Sequence, residues 1–317
     1  MFKRNLIPIS ILVLICFFIM KPEIVSEGAF NGLKIWVYNI IPFLFPISIL
    51  SNILLQYNFL YSLFERISSI SNKIFKSKYA LIPFFISFIS GYPSGAMAVN
   101  IMANNKRINE TEANYLIVFA NDCSFQFIAG AVSFSMLGDF SLYKYIAIPH
   151  FLGAIILSLL MVKNEPRLSM SMKAKQKSVT FNEAFSNAIY KSVTGILSVG
   201  GVIVIFSVLS KFFDSSIKSL TLLLSLNSNM SQIIYSLLVG SLEITNGCSI
   251  ISSSTSMPME IKLLVINFLI SFSGMSVIFQ TMAVINEFKF NINRYIGYKF
   301  IHGIISALIY IAMLIFI

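Results

Sequence analysis

Gly91-Tyr92-Pro93-Ser94-Gly95 cuts through the middle of an apolar run, residues 79–101. Two glycines and a proline in five residues break a helix. The flanks on either side are too apolar for a water-exposed loop. Unwound backbone in such a setting is tolerated only where protein or a watery cavity covers it. The same sign recurs three times further on. Asn121-Asp122-Cys123-Ser124 interrupts 111–137, Glu243-Ile244-Thr245-Asn246-Gly247 interrupts 231–254, and Ser273-Gly274-Met275-Ser276 interrupts 261–285.

Unbroken apolar stretches alternate with these. Residues 35–55, 142–161, 188–213 and 295–317 each have the length and composition of a membrane span. The whole chain agrees. Of 317 residues 56% are hydrophobic and only 11% charged, and the mean hydropathy is +0.82. A soluble domain carries roughly 25% charge, so the composition predicts an all-α, multi-pass protein with the lipid bilayer as its solvent. Residues 6–20, behind the basic head Lys3-Arg4, rise only ~22 Å as a helix. With no small-x-small cleavage site after them, they read as a retained anchor span rather than a signal peptide.

Each half of the chain repeats one order: span, interrupted segment, second interrupted segment, span. The predicted organisation is an anchor over 1–30, a first repeat over 31–162, a basic cytoplasmic linker over 163–183 and a second repeat over 184–317. If the first interrupted segment of each half is a re-entrant hairpin, each half crosses three times and the second half is inverted. With the N-terminus in the cytoplasm, seventeen of the 23 basic residues, Lys299 among them, fall inside and six outside. That asymmetry is what the positive-inside rule expects. The net charge of +10 is then an orientation signal and not a sign of a nucleic-acid partner.

Four breaks in two inverted pairs point to the binding site of a secondary transporter. Their exposed N–H groups and helix N-termini favour a small anionic substrate. Ordinary Gly/Pro kinks are the competing reading. The candidate substrate-binding residues are Gly91, Tyr92, Pro93, Ser94, Gly95, Asn121, Asp122, Ser124, Glu243, Thr245, Asn246, Gly247, Ser276 and Gln280. Asp122 and Glu243 stand out as acids inside apolar segments, where carboxylates are costly and mark function by default. Either could contact substrate, take up a coupling proton or sodium ion, or hold unwound backbone. His150 and His302 lie at matching places in the two halves and read as helix contacts, not metal ligands. Cys16, Cys123 and Cys248 suggest no disulfide framework. No motif of an intramembrane hydrolase occurs, so no enzyme is expected. Oligomerisation is left open.

The motifs at the breaks resemble those of the YlbJ/SpoVV sporulation integral membrane proteins, of the nucleoside-recognition Gate domain group. The resemblance runs from about residue 30 to the C-terminus. It implies a fold with inverted repeats and re-entrant hairpins, similar to concentrative nucleoside transporters. It also implies transport of dipicolinic acid toward the forespore, with the chain in the outer forespore membrane or the cell membrane. The positions it carries over are Gly91, Tyr92, Pro93, Gly95, Asn121, Glu243, Thr245, Gly247, Ser276 and Gln280. The chain departs from the family at Asp122, Ser124 and Phe125, where Asn-Asn and Gly-Pro are usual, and at Ser273-Gly274, where Gly-Gly is usual. A carboxylate at Asp122 near an anion site requires protonation or a paired cation. The rival readings are a cation-coupled permease for nucleosides or another small metabolite, and a structural protein of spore-membrane assembly.

Overall fold

A computed structural model describes residues 2–54, 56–57, 59–162, 179–223 and 227–316, and among them there is no strand. The helices run in chain order as follows. α1 (Phe2–Met20) is followed by α2 (Pro22–Lys34), a π-helical stretch Ile35–Ile40, and α3 (Ile41–Leu54). Two short helices, α4 (Phe59–Arg66) and α5 (Ser68–Phe75), lead to α6 (Leu81–Ser90) and α7 (Ser94–Asn104). α8 (Glu110–Ala120) continues through the π-helical Phe127–Met136 to α9 (Tyr143–Val162). The second half is α10 (Phe181–Leu223), α11 (Ser228–Leu242), α12 (Ile244–Ser252), α13 (Met259–Phe272), α14 (Gly274–Val284) and α15 (Ile292–Phe316).

Each break ends one helix and starts another. α6 and α7 pack on each other across Gly91-Tyr92-Pro93. At 10 and 11 residues they rise about 15–17 Å apiece, half of a hydrocarbon core of ~30 Å. α11 and α12 also fold back on each other. Gly240 and Gly247 bring their backbones into direct contact, and Ser254 Oγ reaches Gln232 Oε1 at 2.8 Å nearer the open end. These are two hairpins. α8 with Phe127–Met136, and α13 with α14, are the two broken spans, and α9 and α15 the unbroken ones behind them. Among the described residues five helices are long and apolar enough to cross a membrane, and exposed Ile11, Leu12, Val13 and Phe17 on α1 give that segment an apolar outer face. The chain is a multi-pass integral membrane protein.

Two helices are longer than their apolar stretches suggest. The span read at 35–55 begins at Pro22, because Pro22 stands at the helix start with Glu23 in the first turn. Gly28 and Gly32, one turn apart, let α2 lie against α10 so closely that a Cβ on Gly28 would sit 2.7 Å from Val208 Cα. α10 begins at Phe181 through a capping box: Glu183 Oε2 accepts from Thr180 N at 3.0 Å. The last three residues of the expected linker are thus its first turn, while residues 163–178 lie outside the described residues. Running 43 residues, α10 rises ~64 Å, about twice the bilayer core. It packs along α2 and α3, and its other side meets α11 and α14.

Candidate functional site

The first broken span unwinds from Asn121 to Ser124. Its backbone is held from several directions. Ser87 Oγ, on α6, donates to the Asp122 carbonyl at 2.7 Å and accepts from Asp122 N at 2.6 Å. Asn121 Oδ1 accepts from Ala96 N in the first turn of α7 at 3.2 Å. The amide of Asn121 donates to Thr281 Oγ1 at 2.8 Å and Tyr295 Oη at 3.0 Å, tying the first half to the second. Gly95 has no room for a side chain, since a Cβ would run into the Ala120 carbonyl.

Asp122 is paired. Lys299 Nζ lies 2.7 Å from Asp122 Oδ1, with the lysine side chain 0% and the aspartate 1% exposed. The same ammonium donates to the Asn121 carbonyl at 3.4 Å and to His302 Nδ1 at 3.3 Å. His302 Nε2 is 2.9 Å from the His150 carbonyl and must donate to it, which leaves Nδ1 as an acceptor. His150 Nε2 accepts from Cys123 N at 3.2 Å, so its Nδ1 donates to Ser271 Oγ at 2.8 Å. Both imidazoles are therefore neutral in this network, and the two rings stack 5.0 Å apart. Among the described residues no cluster has the make-up of a metal site.

Lys299 corrects the charge count. It is one of the seventeen basic residues assigned to the cytoplasmic side, yet it is wholly buried and serves the first break. The expectation that helix N-termini at the breaks await an anion also needs correcting. Three of the four are capped by the protein itself. Asn121 serves α7, Ser124 Oγ accepts from Phe127 N at 3.1 Å, and Glu243 serves α12. One carboxylate oxygen, Glu243 Oε2, accepts from Thr245 Oγ1 at 2.5 Å and Asn246 N at 2.8 Å. Asn246 Nδ2 donates in turn to Ser207 Oγ on α10 at 2.8 Å. Gly247 allows the close approach of α11 and α12.

Open space lies elsewhere. A cavity of about 330 Å³ is enclosed by α3, α10 and the first hairpin. Its floor is the predicted break, Tyr92-Pro93-Ser94, and one wall is lined by Ser48 and Asn52 on α3 and by Gln56 just beyond its end, at a four-residue spacing. Ser48 and Asn52 meet Ser192 at 3.2 and 2.9 Å, and Gln56 Nε2 donates to the Ala184 carbonyl at 2.7 Å. Lys191 is a cation in the lining, which contains no acid among the described residues. Behind Tyr92 is a second, smaller space of about 30 Å³, room for about one water molecule. Tyr92, Glu243, Thr245 and Gln280 line it, and Leu44, Tyr92 and Val199 stand between it and the larger cavity, lining both. Tyr92 Oη and Gln280 Oε1 are buried with no hydrogen-bond partner among the described residues.

Sporulation integral membrane protein YlbJ of Bacillus subtilis is 25% identical over 345 residues, an alignment covering 96% of this chain and 82% of that one. The chain is similar to YlbJ along nearly all of its length. A solved structure of CNTnw in an inward-facing substrate-bound state covers 92% of this chain and 82% of its own, with 11% identity and a TM-score of 0.47. No family model matches the chain.

The candidate residues fall into two groups, as in no simple reading of their spacing. Tyr92, Pro93 and Ser94 face the larger cavity, and Tyr92, Glu243, Thr245 and Gln280 the inner one, with Ser276 buried on α14 one turn before Gln280. Gly91, Gly95, Asn121, Asp122, Ser124, Asn246 and Gly247 line neither. They hold the breaks in shape. Two further parts of the site carry a sequence signal: the polar stripe Ser48-x₃-Asn52-x₃-Gln56 along and just beyond an otherwise apolar span, and Lys299-x₂-His302 on one helix face.

Proposed function

We propose that this chain is a transporter of spore formation that carries dipicolinate, a small dianion, across the outer forespore membrane toward the forespore. The observation that carries the proposal is the cavity beside the first break. At about 330 Å³ it is of metabolite size, one cation and no acid line it among the described residues, and it ends on an unwound segment. The relationship to a sporulation integral membrane protein supports the setting. An anion entering between α3 and α10 would meet Lys191, then the amides and hydroxyls of Asn52, Gln56 and Ser94. Delivery to the other side requires Tyr92 to leave its place between the two spaces. The proposal keeps the N-terminus in the cytoplasm.

Uptake of labelled dipicolinate into proteoliposomes tests it. Saturable uptake, lost in Tyr92→Trp, is expected. Uptake of nucleosides in its place would make the chain a permease for them. No uptake of either, together with normal spore dipicolinate in a deletion strain, would leave the role in membrane assembly instead.

A further inference from the structure

We infer that Lys299 supplies the resident cation of the first broken span, so that the chain neither binds nor needs sodium there. In broken membrane helices, unwound carbonyls and nearby carboxylates gather a positive ion that travels with the solute. Here the gathered ion is the protein's own ammonium. Its three N–H donors have three acceptors: Asp122 Oδ1 at 2.7 Å, the Asn121 carbonyl at 3.4 Å and His302 Nδ1 at 3.3 Å. Two of these belong to the break itself. The cluster is shut off from solvent, with Asp122, Lys299, His150 and His302 each at most 1% exposed. The titratable groups around it are Asp122 and Cys123 from the break, His150 from α9, and Tyr295, Lys299 and His302 from α15. Lys299 is the cation among them, and Asp122 its matching charge.

The inverted repeat sharpens the point. The breaks of the two halves match at an offset of 152, at which Gly95 meets Gly247 and Ser124 meets Ser276. At that offset Asp122 answers to Gly274 and Lys299 to Ala147. The first break therefore has both charges of the pair, one from each half, and the matching second break has neither. The lysine and the aspartate form one device, added to a frame that does without it at the second break. The bearing on transport rests on the function proposed above; the cation site itself does not.

Thermal unfolding of the purified protein in detergent tests the site with no solute present, so failure of the transport reading leaves the result unaffected. At mildly alkaline pH and equal ionic strength, the wild type is expected to melt at the same temperature in sodium, potassium and choline chloride. Lys299→Ala should melt several degrees lower in choline, and regain part or all of the loss, saturably, in sodium or methylammonium. The double variant D122N/K299A, which lacks the carboxylate, should show no such response. Stabilisation of the wild type specific to sodium overturns the inference, and so does a Lys299→Ala variant indifferent to every cation. The wild-type comparison stands alone if Lys299→Ala yields no folded protein.

Discussion

Glu243 offers a clean separation of a carboxylate's shape from its charge. One oxygen, Oε2, receives both the Thr245 hydroxyl at 2.5 Å and the Asn246 amide at 2.8 Å, and the side chain is buried. Hydrogen bonds to a charged acceptor contribute about 1.5–3 kcal/mol each, and a lost N-cap costs about 0.5–2 kcal/mol. These figures overlap, since the Asn246 bond is the cap. Glu243→Ala leaves two buried donors without an acceptor and should cost about 3 kcal/mol. Glu243→Gln keeps an oxygen in the same place, loses only the ionic strengthening, and should cost about 1 kcal/mol. Reversible unfolding in mixed detergent micelles measures both. A glutamine variant as unstable as the alanine one, or an alanine variant within about 1 kcal/mol of wild type, would refute the capping role. Because the glutamine variant stays folded, its dipicolinate uptake then reports on charge alone, and a fall of tenfold or more is expected from a group that also lines the inner cavity.

Other outcomes follow from single features. Gly95→Ala should destabilise by about 2–3 kcal/mol, because its methyl group meets the backbone of Ala120 and Asn121, whereas Gly195→Ala, in open space on α10, should be neutral or slightly stabilising in the same unfolding assay. Tyr92→Phe should leave uptake within about twofold, since the hydroxyl loses at most a weak contact with the Cys123 thiol, while the bulkier Trp should block it. Lys191→Gln should raise the KM for dipicolinate several-fold with little change in kcat, and the difference should shrink as salt is added to the uptake buffer.

The breaks were legible in the sequence because their causes are local. Gly91, Pro93, Gly95, Asn121 and Glu243 interrupt apolar runs within a few residues, and helices do end there. Their order along the chain gave the two hairpins and the broken spans. What Asp122 meets was not legible. Lys299 lies 177 residues away, beside Arg294 in a stretch that reads as an interfacial end of a span, and pairing at that distance leaves no periodic trace. The helix lengths were missed for another reason. Hydropathy marks where lipid is, while Pro22 and Thr180 mark where a helix starts, and the two do not coincide. The cavity is not legible because its walls come from α3, the first hairpin and α10, which lie far apart in the chain and meet only in the fold.

The long separation between Asp122 and Lys299 also has a consequence for biogenesis. Ribosomes add about 5–20 residues per second, so Lys299 is made some 10–35 s after Asp122. During that interval the first half is already available to the insertion machinery, with an acid that lacks its counter-charge. Such a group is costly within lipid, so the α8 segment has reason to wait near the aqueous edge, or beside a helper, until α15 arrives. The C-terminal helix would then act as the closing pin of membrane insertion, and a ribosome that stops short of it would leave a chain for quality control to find.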